Sequence, residues 1–315
     1  MKSKASAPGK VILFGEHFVV YGVKAILCAI NKRIIVTAER IDENQISIQS
    51  DIGNLILEPN RPISEINSPL KPLYYLANKM LLTQNQSSGI KIIVESEIPV
   101  GVGLGSSSAC CVAGAAAISG LFAEKTREEI LELSIEAEKT IFENTSGADC
   151  TVCTYGGIME YDKKNGFTRI KSKPNFHIII ANSNKEHSTE SAVAKVKQFQ
   201  EKNKYEFSKL CNNESILVED VLKLLQHNGI KELGQKIIQN QEYLETIGVS
   251  NAKLREMIKI GQETAYGTKI TGAGDGGCVF SLVDTKNLDQ TISKFKDKNY
   301  LCFPTKIDFK GLYTF

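Results

Sequence analysis

No single kind of residue dominates this chain of 315 residues, and what it lacks narrows its function first. Charge of one sign is missing: 38 Lys and Arg face 36 Asp and Glu, a formal net charge of +2. No basic run reaches the density of an arm that neutralises a phosphate backbone, so no nucleic-acid partner is expected and a small or acidic ligand remains compatible. Long apolar runs are missing as well. None approaches the ~18 residues that a membrane-spanning helix needs, so no membrane partner is expected. The opening MKSKASAPGK has no apolar segment of the signal-peptide kind, and the expectation is a reduced, cytoplasmic protein. Eight cysteines include one C-x-x-C pair, Cys150 and Cys153. The second pair that a zinc ribbon would want is absent, which argues against metal or redox duty. Cys110, Cys111 and Cys278 lie in runs of small or apolar residues, where a thiol behaves as a small hydrophobe. No Walker A loop (G-x-x-x-x-G-K-[ST]) occurs, and neither internal repeats nor low-complexity segments are found.

What is present alternates between two textures. KVILFGEHFVV, AILCAINKRIIVTAER, QISIQS, IKIIVESEI, GGIMEYD and FHIIIAN read as strands. Residues 107–122 are small and apolar enough for a buried helix. TREEILELSIEAEKTIF reads as a second helix, with Thr126 and Glu129 spaced for a capping box. After about residue 175 the helical patterns lengthen and carry more charge. The chain then returns to a glycine-rich loop, a strand (CVFSLVD), a helix (DQTISKFKDKN) and a closing strand, TKIDFK. Strands and helices without strict alternation predict an α+β fold. The length predicts two domains, residues 1–170 and 171–315.

Two glycine-rich loops stand out. PVGVGLGSSSA (99–109) follows a strand and opens a helix. Its glycines permit positive φ and leave no Cβ to block a ligand, and the helix start offers unpaired N–H groups that favour phosphate. The G-x-G-x-G spacing departs from the dinucleotide G-x-G-x-x-G. The three serines can bond phosphate oxygens or ligate Mg²⁺, and chemistry alone leaves them equivalent; a tight turn with a serine cap is the other reading. KITGAGDGGCVF (269–280) places four glycines among residues 272–277, again implying close backbone approach. Asp149, after a glycine in GADC and ahead of an apolar segment read as a strand, suits either a turn or a base for a substrate hydroxyl. Glu138 shares a helix face with Leu131, Ile135 and Phe142. A carboxylate in such a stripe wants a cation or metal, unless the stripe is narrower and Glu138 borders solvent. Lys10, Glu16 and His17 fall near strand ends in APGKVILFGEHFVVYG, where ordinary surface charge is the alternative.

Taken in order, A-P-G-K…G-E-H, P-x-G-x-G-L-G-S-S-S-A and T-G-A-G-x-G-G-C resemble the signatures of the GHMP kinases, and they span residues 5 to 280. GEHFVVYG (15–22), NTSGADCTVCTYGG (144–157), NSNKEHST (182–189) and NQEYLETIGVS (240–250) are most similar to the branch of that family that phosphorylates mevalonate. The resemblance implies a two-domain kinase fold with the active site in the cleft between domains, ATP and mevalonate as substrates, Mg²⁺ as cofactor and a homodimer. It implies Asp149 as catalytic base and Lys10 as its partner. Pro99, Gly101, Gly103, Leu104, Gly105, Ser106, Ser107 and Ser108 would cradle the ATP phosphates. Ser107 and Glu138 would hold Mg²⁺, leaving Ser106 and Ser108 as phosphate or capping donors. Glu16, His17, Thr189, Gly272, Ala273 and Gly274 would line the substrate site. The reaction expected is transfer of a phosphoryl group from ATP to the 5-hydroxyl of (R)-mevalonate. Four residues depart from that branch's pattern: His187 for Arg, Asp275 for Gly, Thr145 for Pro and Tyr155 for Trp.

Overall fold

A computed structural model describes residues 1–83, 88–99, 101–185, 189–227 and 229–315. Its strands are β1 (Lys2–Phe14), β2 (Ala25–Ile41), β3 (Ile46–Ser50), β4 (Gly53–Leu57), β5 (Gly89–Ser96), β6 (Ile158–Asp162), β7 (Gly166–Ile170), β8 (His177–Asn182), β9 (Gly267–Thr271), β10 (Cys278–Val283), β11 (Leu301–Thr305) and β12 (Tyr313–Thr314). Its helices are α1 (Lys71–Thr83), α2 (Ser106–Ser119), α3 (Arg127–Glu138), α4 (Ala148–Tyr155), α5 (Thr189–Lys202), α6 (Lys204–His227), α7 (Ile230–Thr246), α8 (Ala252–Gln262) and α9 (Leu288–Asp297).

The first sheet runs β12-β1-β2-β5-β3-β4, with β6 and β7 continuing from β2. Strand β2 is long enough to serve two neighbours on one edge: Ile34–Ile41 pair with β5, and Ala25–Cys28 pair with β6. Its alternating apolar side chains form a core with α1 to α4. Helix α2 lies at the centre of that layer, against β1, β2, α1, α3 and α4. Its side chains are small, and every residue from Cys111 to Ser119 is buried, the pattern of a helix enclosed by others. Thr126 and Glu129 close the expected capping box at the start of α3.

Between Ile170 and His177 the chain passes to a second, wholly antiparallel sheet ordered β11-β8-β10-β9, backed by α7, α8 and α9. The last residues return to the first sheet. Strand β12 pairs with β1, and Ile307 bridges Ile30. The mixture of strands and helices is the α+β arrangement expected.

Three local expectations are corrected. KVILFGEHFVV stops being a strand at Phe14, because Gly15 turns to φ +90° and a short 3₁₀ turn follows at Phe18–Tyr21. The stretch after Gly147 is helix α4, so Asp149 sits in a helical first turn and does not precede a strand. TKIDFK is not a closing strand. Only Thr305 belongs to β11, and beyond Ile307 the Asp308 carboxylate accepts the N–H groups of Lys310 and Gly311, bending the chain into a turn.

Candidate active site

The site begins where β1 loses its neighbour. A register shift between Pro8 and Gly9 interrupts the ladder with β2 just before Lys10. The outer edge of β1 carries β12 only at Ala5 and Ser6. Farther along, the Lys10 N–H donates to the Leu104 carbonyl at 2.9 Å, which lays the first glycine loop onto the strand. Gly105, at φ +72°, is the tightest point: a Cβ there would stand 2.7 Å from Lys10 Cγ. The glycines therefore serve both a left-handed turn and a close approach to the lysine stem. Lys10 is 5% exposed, and its ammonium reaches Asp149 Oδ2 at 3.0 Å. Asp149 follows Gly147 (φ +72°) at the start of α4, where unpaired N–H groups favour a carboxylate. The expected catalytic pair is thus a direct ion pair roofed by the glycine loop. Gly105 caps α2, so the N–H groups of Ser106, Ser107 and Ser108 make up that helix's open first turn, as an anion site requires. Pro99 is half-buried at the loop's entrance and Gly101 is exposed.

Glu138 closes α3 and is 3% exposed. The apolar stripe drawn through it is not continuous, since Phe142 is exposed beyond the helix end. Its two oxygens take hydroxyl donors. Ser108 Oγ donates to Oε1, and Thr145 Oγ1 donates to Oε2 at 2.5 Å. The serine bonded to Glu138 is therefore Ser108, while Ser107, expected beside Glu138 as a Mg²⁺ ligand, stands one residue earlier in the open first turn of α2. Thr145, one of the four departures from the family pattern, supplies the second hydroxyl. Carboxylate and hydroxyl oxygens are hard donors, and Mg²⁺ is commonly bound through one or two carboxylates plus substrate phosphates, so this set fits that ion. Among the described residues, no group of three or more His, Cys, Asp and Glu side chains forms a metal cage. Cys150 and Cys153 are free and buried, and burial pushes both thiols well above their ordinary range, which leaves the C-x-x-C pair as packing.

The opposite wall joins the two sheets. The second glycine loop faces the first: a Cβ on Gly103 would lie 3.8 Å from the Thr271 carbonyl oxygen and 3.9 Å from Gly272 Cα. His17, at φ +63°, directs Nε2 to the Ala273 carbonyl at 2.8 Å, and Thr271 Oγ1 reaches the Ile12 carbonyl. Ala273 accepts, so Nε2 carries the proton and Nδ1 is an acceptor. Burial holds the His17 pKa below the usual imidazole range. Glu16, 2% exposed, forms an ion pair with the fully buried Lys269 of β9, whose ammonium also donates to the Leu13 carbonyl at 3.2 Å. Burial pushes Glu16 up and Lys269 down, and their mutual attraction opposes both shifts. Glu16 Oε2 is buried without a partner among the described residues. An unpaired buried oxygen of this kind is costly unless a ligand hydroxyl donates to it.

Lys269 and, behind Glu16, the buried Glu214 were missed in the sequence. The available signal for Lys269 was a lysine just ahead of T-G-A-G. Gly274 turns at φ +77°, and Asp275 follows at φ +60° with its carboxylate on Lys195 at 2.7 Å. A second departure from the family pattern thus takes a left-handed conformation that Asp tolerates better than most residues. Tyr155, another departure, donates to Glu128 at 3.0 Å. His187 lies outside the described residues. Thr189 opens α5, with its side chain also outside that description.

The sequence matches the profile of the GHMP kinases N terminal domain over residues 70–157 and that of the GHMP kinases C terminal domain over residues 221–301. It is 33% identical to a mevalonate kinase of Thermococcus sibiricus, covering 99% of this chain and 98% of that protein. It is 35% identical to a mevalonate kinase of Pyrococcus furiosus, covering 91% and 90%. The crystal structure of the Methanococcus jannaschii mevalonate kinase superposes with a TM-score of 0.87 at 27% identity, over 97% of this chain and 98% of that one.

Proposed function

Because the chain belongs to the GHMP kinase family, we propose that it transfers the γ-phosphoryl group of ATP to the 5-hydroxyl of (R)-mevalonate. The observation that carries this reading is the Lys10–Asp149 ion pair beneath the first glycine loop. Relatives along the whole chain that are named for mevalonate kinase support the choice of acceptor.

In-line phosphoryl transfer asks for positioning and charge neutralisation more than covalent help. The N–H groups of Ser106 to Ser108 and the loop from Gly101 to Gly105 would receive the phosphates. The Asp149 carboxylate would accept the 5-hydroxyl proton. The 5-oxygen then bonds to the γ-phosphorus while the bond to the β,γ-bridging oxygen breaks and ADP leaves. Lys10 would hold Asp149 through the ion pair and stabilise the developing alkoxide. On the facing wall, the unpaired Glu16 Oε2 and the acceptor His17 Nδ1 would take substrate hydroxyls, with the Ala273 and Gly272 backbone closing it.

Glu138 and Ser107 are the proposed Mg²⁺ ligands, with Ser108 and Thr145 fixing the Glu138 carboxylate. When bound, the ion would offset phosphate charge. The two proposed domains meet at this cleft, residues 1–170 contributing Lys10, Glu138 and Asp149, and residues 171–315 contributing Lys269 and the second glycine loop. Among the described residues no helix is long and apolar enough to cross a membrane. A cytoplasmic homodimer remains the proposed state, to be read by light scattering.

A coupled ADP-release assay with Mg-ATP and a panel of hydroxy acids tests the assignment. Activity should centre on (R)-mevalonate. Turnover of phosphomevalonate or another hydroxy acid with none on mevalonate would overturn it.

A further inference from the structure

The wall assigned to mevalonate rests on a helix that takes no direct part in the chemistry. Along α6, Phe207 stacks on Phe18 (ring centroids 6.0 Å apart) and meets Tyr21 edge-on at 4.7 Å. Glu219 pairs with Lys24 at 2.9 Å. Between them, fully buried Glu214 accepts the Gly15 N–H at 3.0 Å. Asn240 of α7 donates to both Glu214 oxygens, at 2.7 and 2.8 Å. These bonds of Glu214 all come from neutral groups, which is unusual for a carboxylate so deeply enclosed.

The backbone that Glu214 holds is a demanding one. Gly15 sits at φ +90°, and a Cβ there would stand 2.5 Å from the Lys24 carbonyl oxygen. His17 holds φ +63°, a conformation that persists in a non-glycine residue only when its surroundings enforce it. Glu16 lies between them and is aimed by this turn.

We propose that Glu214 is a positioning residue for the phosphate acceptor: through the Gly15 N–H it fixes the turn that aims Glu16 and His17, and Asn240 fixes Glu214 in turn. This rests on the reading that Glu16 and His17 face mevalonate. The charge on Glu214 sets how firmly the turn is held. Burial, with the nearby Glu16 charge, raises its pKa to about 7, against Asn240, Lys269 and the Gly15 N–H, which favour the ionised form. Other titratable groups face it: across the wall, burial raises Glu16 and lowers Lys269, each shift opposed by the other's charge. Burial raises Cys211 on its own helix and Tyr243 on α7, and holds His17 below the usual imidazole range. Ionised Glu214 accepts all three donor contacts. Protonated, it has lost acceptor capacity against Asn240, and the turn slackens.

The test is a coupled ADP-release assay on the full chain between pH 6 and 8.5, giving kcat and both KM values for wild type, Glu214→Gln, Glu214→Ala and Glu16→Gln. For wild type, the mevalonate KM should rise several-fold as pH falls through about 7, with the ATP KM steady. The isosteric Glu214→Gln should show a flat mevalonate KM close to the wild-type acid value. Glu214→Ala should likewise give a mevalonate KM that is flat with pH, about tenfold above the wild-type value at pH 8.5, the size expected for losing bonds to a charged acceptor. A wild-type pH profile in Glu214→Gln, or equal changes in both KM values in Glu214→Ala, would overturn the proposal. Glu16→Gln separates the two levels. If it raises the mevalonate KM and the Glu214 variants do not, the positioning role falls and the substrate wall stands. If it leaves the mevalonate KM unchanged, the wall assignment falls and the proposal with it.

Discussion

The Lys10 ammonium stands 3.0 Å from Asp149 Oδ2, while the same residue's backbone N–H is held by the Leu104 carbonyl of the glycine loop. One residue therefore ties the proposed base to the proposed phosphate cradle. A shift of the loop would displace the lysine, and with it the charge next to the base.

Lys10→Met keeps most of the apolar stem beneath Gly105 and removes the charge. Turnover should fall about a hundredfold or more, the usual cost of losing an electrostatic partner at a reacting oxygen, with a much smaller change in either KM. Steady-state kinetics on (R)-mevalonate checks this. A loss of less than about fivefold would reduce Lys10 to a packing residue.

Ser107 and Ser108 separate by stability. Ser108 donates to a buried carboxylate, so Ser108→Ala should lower stability by about 1–3 kcal/mol as well as raising the Mg²⁺ needed for half-activation. Ser107→Ala should raise the Mg²⁺ requirement with the melting temperature unchanged. Thermal melts beside Mg²⁺ titrations measure both, and a stable Ser108→Ala with normal Mg²⁺ activation would dissociate that serine from Glu138.

Gly105→Ala should cost about 1–3 kcal/mol, because alanine is strained at φ +72° and its Cβ would be forced onto Lys10 Cγ. The ATP KM should rise with it. Calorimetry and nucleotide titration test the pair, and wild-type values in both would mean that the loop relaxes without contacting the lysine.

Lys269→Met strands Glu16 without its salt-bridge partner at a buried site. A loss of about 3–5 kcal/mol is expected, with Glu16→Gln in the same background restoring part of it. A double-mutant cycle in denaturant reads the coupling. Additive effects would mean that the pair contributes nothing beyond its separate packing.

Local patterns carried much of the fold. The alternation in QISIQS and IKIIVESEI, the capping box at Thr126 and the small-residue helix after Ser106 are all rules written within a few residues. Helix α4 escaped because it starts abruptly after Gly147 and carries the β-branched residues Thr151, Val152 and Thr154, which also suit a strand. The closing strand was misplaced because an Asp308 side-chain turn competes with the ladder. In the site, Lys10, Glu138 and Asp149 stood out through their motifs, whereas Lys269 and Glu214 did not. A lysine before T-G-A-G and a glutamate within a charged helix carry no motif of their own. Their burial depends on Glu16 and Gly15, far away in sequence and brought close by the meeting of the two sheets.

The catalytic assignment is tested most directly by the turnover of Asp149→Asn on Mg-ATP and (R)-mevalonate, with nucleotide affinity measured on the same sample. The amide keeps the shape but is a far poorer proton acceptor, so kcat should fall by about a hundredfold or more while ATP binds as in wild type. A kcat near the wild-type value would contradict the assignment and remove Asp149 as the base.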